Sequence, residues 1–175
     1  MDNRYVKIFA SGSKAPLKAT PGHFATNHAH INYYLDMTTL KTRLSEAQEV
    51  AKHLAERFLF DKVVDTIVCL EGTQVIGAYL AEELTRAGVL STNAHKTIYV
   101  ITPEYNSNSQ MVFRENILPM VHGKNVVILT AVVTTGLSLN KSIEAIQYYG
   151  GKLQSAAAVF STMGELNRCP STTIY

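Results

Sequence analysis

The run from Val126 to Val133 carries one polar residue, Thr130, and no charge. It is followed at once by Thr134-Thr135-Gly136 and by Leu139, Ile143 and Ile146 at helical spacing, up to Gly150-Gly151. A membrane helix needs roughly 20 apolar residues, so this run is too short to span a bilayer. Apolar throughout and rich in valine, the segment Asn125 to Ala131 reads as a strand that must be covered on both faces. The same grammar occurs earlier in the chain. Asp65 to Leu70 is a short β-branched run; it leads through Glu71-Gly72-Thr73 into Val75, Ile76, Tyr79, Leu80 and Leu84 at helical spacing, stopping at Gly88.

Two further strands are expected, from Thr97 to Ile101 and from Lys152 to Ser161. A helix is expected from Ser45, through Ala47, Val50, Leu54 and Phe58, with Ser45 and Gln48 as its capping box. Strands alternating with helices belong in a parallel sheet joined by right-handed crossovers. The expected architecture is therefore α/β, an open, doubly wound, mostly parallel sheet. With 175 residues, 46% of them hydrophobic, the chain suits one domain over 1–175. Residues 1–44 form its N-terminal cap or hood and 45–161 its α/β core. Phe24 to Asp36, aromatic and polar without a helical period, lies in that cap. Pro103 to Gln110, rich in Asn and Ser, is expected to be a mobile loop.

Sixteen Lys and Arg against 14 Asp and Glu leave a formal charge of +2, too little for the footprint that nucleic-acid binding needs. No apolar leader or membrane span is present, so no membrane partner is expected. Cys69 and Cys169 are far apart in sequence, which fits neither a disulfide framework nor a paired-thiolate metal site and implies a cytoplasmic location.

In an open α/β sheet, ligands bind beyond the carboxyl ends of the strands. The turn Thr134, Thr135, Gly136, Leu137, Ser138 offers hydroxyls, a flexible glycine and a helix amino end, which suit a phosphate monoester; alternatively its hydroxyls only cap the helix. Glu71, Gly72 and Thr73 form either a second ligand turn or an ordinary βα turn with an exposed carboxylate. Gly72 and Gly77 have the spacing of a nucleotide-triphosphate loop, but Ala78-Tyr79 stands where Lys and Ser or Thr are required. No G-x-G-x-x-G and no G-x-S-x-G follows a strand. His23, His28 and His30 lack an acidic or cysteine neighbour and read as polar loop residues before they read as metal ligands. Tyr33-Tyr34 and Tyr148-Tyr149 could stack a planar base, although aromatics beside a sheet usually pack it.

The stretch Val126 to Leu153 resembles the signature of type I phosphoribosyltransferases, in which an apolar strand ends in two acidic residues followed by V-x-T-T-G-x-S. The two acidic positions hold Thr130 and Ala131 in this chain. Phe24 to Asp36 is similar to the orotate phosphoribosyltransferase segment F-x-L-x-S-G-x-x-S-x-Y. Phe24 and Tyr34 match it, while His28-Ala29 replaces Ser-Gly and Asn32 replaces Ser. That family carries a Lys- and Arg-rich loop where Thr102 to Asn116 has only Arg114.

The resemblance implies transfer of phosphoribose from 5-phosphoribosyl 1-diphosphate to a pyrimidine or related base, through a sugar cation formed as pyrophosphate leaves. It would place the 5-phosphate at Thr134 to Ser138, the ribose at Thr130 and Ala131, and pyrophosphate at Glu71 to Thr73. Magnesium would arrive with the diphosphate rather than on protein ligands. Asn27, His28 and Tyr34 would stand over the base, and a homodimer is implied. The lost acidic pair and the weakly basic loop favour an alternative: a catalytically weak or inactive nucleotide- or diphosphate-binding regulator on the same fold.

Overall fold

The computed structural model describes residues 5–25, 30–56, 62–86, 91–162 and 171–175. In chain order its elements begin with β1 (Val6–Phe9), β2 (Pro16–Ala25), β3 (His30–Asp36), α1 (Thr38–Thr42) and α2 (Leu44–Glu56). There follow β4 (Thr66–Cys69), α3 (Gln74–Thr85), β5 (Tyr99–Ile101), β6 (Glu104–Tyr105) and β7 (Met111–Val112). The chain closes with β8 (Asn125–Val133), α4 (Leu137–Tyr148), β9 (Lys152–Ser161) and β10 (Ser171–Thr173).

The central sheet has the order β10-β9-β8-β4-β5, and all four pairings are parallel. β8 lies in the middle because it is the most apolar strand, and its residues divide between two cores. Val127, Leu129 and Ala131 join α2 and α3 residues such as Val50, Leu54, Ile76 and Leu80; Val126, Ile128 and Val133 join Leu139, Ile143 and Ile146 of α4. Helices thus cover both faces, as the continuous apolar strands require. β10 extends the sheet beyond the expected 45–161 segment.

The amino-terminal segment is a three-stranded antiparallel sheet, β1-β2-β3, whose Ala15 and Leu17 end reaches into the α2 and α3 core. The stretch expected to be a mobile loop carries a short hairpin that its composition did not announce. β6 and β7 pair antiparallel, and Asn106 organises the turn: its Oδ1 accepts from the backbone N–H groups of Asn108 (2.9 Å) and Gln110 (3.0 Å). Polar composition without periodicity hid this because the turn is made by side-chain to backbone bonds, which leave no hydrophobic repeat. The capping box at Ser45 is not formed either. α2 starts at Leu44, and the carbonyl of Arg43, where α1 ends, already accepts from Ala47 N–H, so Ser45 lies inside the first turn.

Candidate functional site

β4 and β8 are adjacent and parallel, so the turns at their carboxyl ends lie side by side. In the β4 turn, Glu71 (φ 53°) and Gly72 (φ 79°) are both left-handed. The non-glycine Glu71 is held there from two sides. Lys41 of α1 donates from Nζ to its carbonyl at 3.0 Å, and its carboxylate Oε2 accepts from Thr130 Oγ1 at 3.1 Å and from Val132 N–H at 3.3 Å. Thr73 faces inward: it is fully buried, and its hydroxyl lies 2.8 Å from the Leu70 carbonyl and 3.1 Å from that of Leu129. Its side chain ties the turn to β8, while its N–H donates to the Leu70 carbonyl at 3.2 Å and its own carbonyl accepts from Gly77 N–H at 2.9 Å, so Thr73 braces the turn from within.

In the β8 turn, Gly136 sits at the amino cap of α4 with φ 72° and ψ −2°, and no side chain caps the helix. The hydroxyls of Thr134, Thr135 and Ser138 therefore do not serve as caps. Asn140 N–H bonds the Gly136 carbonyl, whereas among the described residues no acceptor meets the N–H groups of Thr135 to Leu139. Unpaired donors at the positive end of a helix dipole are chemically suited to receive an anion.

Both turns open into one cleft of about 1600 Å³, which the β6–β7 hairpin and the length of α4, through Tyr148 and Tyr149, also line. Burial, and then the nearby charge of Glu71, push the Tyr105 phenol of the hairpin above its ordinary pKa, so it stays a protonated donor. The charged residues among the described lining are Glu71, Lys141 and Glu144. Arg114 is not a spare cation for the cleft, because it pairs with Glu104 across the hairpin at 2.5 Å.

The residues singled out by sequence are only partly brought together. Thr134, Thr135, Gly136, Leu137, Ser138, Glu71 and Thr130 line the cleft. Ala131 does not: it is 3% exposed and belongs to the opposite core with Val127 and Leu129. Tyr34 is exposed on β3, near Phe24 rather than in the lining, and Asn27 and His28 lie outside the described residues. His23 and His30 stack with their ring nitrogens 3.1 Å apart, and among the described residues no group of three His, Cys, Asp or Glu side chains is placed to hold a metal ion. Sequence reasoning missed Lys41 and Tyr105. Neither sits in a motif, since both reach the site through elements of five residues or fewer, α1 and β6.

No family model and no curated protein matches the sequence. Solved structures do match in shape. The UMP synthase of Leishmania donovani superposes with a TM-score of 0.60 at 18% identity, over 82% of this chain and 28% of that one, so the chain spans little more than a quarter of that protein. Orotate phosphoribosyltransferase of Mycobacterium tuberculosis H37Rv gives 0.55 at 16% identity, over 83% of this chain and 78% of that one. Adenine phosphoribosyltransferase of Saccharomyces cerevisiae gives 0.59 at 15%, over 88% and 93%. The fold is that of the type I phosphoribosyltransferases.

Proposed function

We propose that the chain is a phosphoribosyltransferase that binds 5-phosphoribosyl 1-diphosphate in this cleft and transfers its phosphoribose to a pyrimidine or related base. The observation that carries the reading is the row of unpaired N–H groups at Gly136 and the start of α4, beyond the carboxyl end of the central strand of this fold. In that pose the Thr134 to Ser138 backbone takes the 5-phosphate, and the Glu71-Gly72 turn faces the sugar and its leaving group. The hairpin, with Tyr105, shields the cleft from one side.

Magnesium suits the diphosphate because it binds through phosphate oxygens and retained waters, with one or two carboxylates at most. In this reading the ion arrives with the diphosphate rather than on a protein ligand set. Its contribution when bound is to offset diphosphate charge. We place the chain in the cytoplasm on its unpaired Cys69 and assign it a homodimer, with exposed Val6, Ile8 and Phe9 as apolar surface available for covering. Light scattering at twice the 19.3 kDa chain mass supports the dimer, and a single-chain mass at micromolar concentration excludes it.

Calorimetry with 5-phosphoribosyl 1-diphosphate and magnesium, followed by orotate with pyrophosphate release as readout, tests the reading. Absence of any binding overturns it. Binding without turnover on orotate or a panel of other pyrimidines selects a sensor or regulator instead, a reading favoured by one observation: the β6–β7 hairpin beside the cleft carries no Lys or Arg from Glu104 to Val112.

A further inference from the structure

We propose that Glu71 supplies, from the β4 turn, the carboxylate that holds the ribose hydroxyls, in place of acidic residues on β8. The proposal rests on the phosphoribosyl reading of the cleft and identifies which group confers its preference for ribose.

The argument starts from the lengths of two neighbouring strands. β4 ends at Cys69, whose partner in register is Leu129, and Leu70 N–H makes the last bond to the Leu129 carbonyl. β8 continues to Val133, so beyond Leu129 it has no strand beside it on this flank. Backbone donors at such a step need partners. Glu71 meets that need, since its Oε2 accepts from Val132 N–H and from Thr130 Oγ1.

The conformation that delivers the carboxylate is not one a glutamate adopts readily. A left-handed φ at a non-glycine residue is uncommon and survives where surroundings over-determine it. Lys41 on the Glu71 carbonyl and the left-handed Gly72 that follows are those surroundings. The side chain is thereby laid across the end of β8, where Thr130 replaces an acid. A second carboxylate at 130 would meet Glu71 at contact distance, and two like charges so close cannot both ionise cheaply. Threonine gives a donor in place of a repelling charge, so the charge has moved from strand to turn.

One oxygen of the group remains available. Glu71 is exposed to the cleft, and among the described residues its Oε1 has no hydrogen-bond partner. An ionised carboxylate accepts hydroxyl hydrogens more strongly than a neutral amide or hydroxyl oxygen does. The neighbouring phosphate turn fixes the other end of the same sugar.

The test measures binding of ribose 5-phosphate, 2-deoxyribose 5-phosphate and inorganic phosphate by calorimetry on the intact chain and on Glu71→Gln. Glutamine keeps an oxygen for Thr130 and Val132 and removes only the charge. The wild type is expected to prefer ribose 5-phosphate over the deoxy sugar by about tenfold, the scale of one charge-assisted bond over a neutral one. Glu71→Gln should lose that preference and hold inorganic phosphate within about twofold. Thr130→Val, which keeps the charge and removes its positioning partner, should lose part of the preference.

A preference absent in the wild type, or retained in Glu71→Gln, overturns the role of Glu71 while phosphate binding leaves the phosphoribosyl reading standing. An equal loss for inorganic phosphate in Glu71→Gln also overturns it, because the effect then comes through the fold or the phosphate turn. Failure of the wild type to bind either inorganic phosphate or ribose 5-phosphate overturns both.

Discussion

Ala131→Asp separates a residue that faces the ligand from one that faces the core, and its cost can be worked out. Ala131 is 3% exposed and shares its core with Leu17, Met37, Leu40, Leu129 and Val159. A carboxyl placed there keeps its proton sooner than ionise, because burial penalises the charged form. Its folded pKa is then raised above the unfolded value of about 3.9, so the folded state holds a proton that the unfolded state releases. Stability relative to the wild type is lost as pH rises above about 4, at about 1.4 kcal/mol per pH unit until the folded pKa is passed. At pH 7 the ceiling on this loss is about 4 kcal/mol, and overpacking adds about 1–3 kcal/mol. With roughly 2–4 °C per kcal/mol for a chain of this size, Tm should fall by roughly 10–30 °C at that ceiling. Ala131→Asn carries the same bulk without the proton and should show a defect independent of pH. Urea melts of all three proteins at pH 5 and pH 7.5 make the comparison. Equal behaviour of the Asp and Asn variants at both values, or an unharmed Asp variant at pH 7.5, would mean that position 131 opens to the cleft.

Two further outcomes follow from buried groups away from the cleft. Asn93 is fully buried, accepts from Val64 N–H at 2.8 Å and donates to the Lys62 carbonyl at 2.9 Å; Asn93→Ala should cost about 2–3 kcal/mol in a urea melt, and a change below 0.5 kcal/mol would deny the bridge its role. Burial pushes the Cys69 thiol up to about 12, so in a Cys169→Ser background the folded protein should resist aromatic disulfide reagents at pH 8 and react only on unfolding; prompt labelling of native protein would contradict this.

What the sequence made legible was what hydrophobic period encodes. The helix patterns at Ala47, Val50, Leu54 and at Leu139, Ile143, Ile146 emerge as α2 and α4, and the run at Val126 becomes the central strand, because burial on a helix stripe or on both strand faces leaves a repeat. Thr134 to Ser138 was legible for the same reason: a strand of known end must turn there. The facing of single residues past that end was not. Thr130 and Ala131 are neighbours in sequence, yet one lines the cleft and the other is core, and strand alternation settles which only once the sheet is built. The β6–β7 hairpin and the reach of Lys41 and Tyr105 depend on Asx-type bonds and tertiary placement, which carry no period. The inward facing of Thr73 carried no sequence signal either, because a hydroxyl in a turn serves a ligand or the backbone equally well by composition.

The charge in the cleft sets how a diphosphate can be held. Among the described lining residues Lys141 stands against Glu71 and Glu144, with Lys41 beside the Glu71 turn and Arg114 occupied by Glu104. A monophosphate needs no more than the unpaired N–H groups and the dipole of α4, which act without a net cation. A diphosphate, lying toward an acidic turn, adds several negative charges with no matching side chains. Binding of 5-phosphoribosyl 1-diphosphate should therefore weaken by tenfold or more when a chelator replaces magnesium, a loss of about 1.4 kcal/mol or greater. Ribose 5-phosphate should change by less than twofold under the same exchange. Parallel calorimetric titrations in magnesium and in EDTA decide the matter. Equal sensitivity of the two ligands would place the ion's effect on the protein or on the 5-phosphate, and equal indifference would mean that a cation outside the described lining holds the diphosphate.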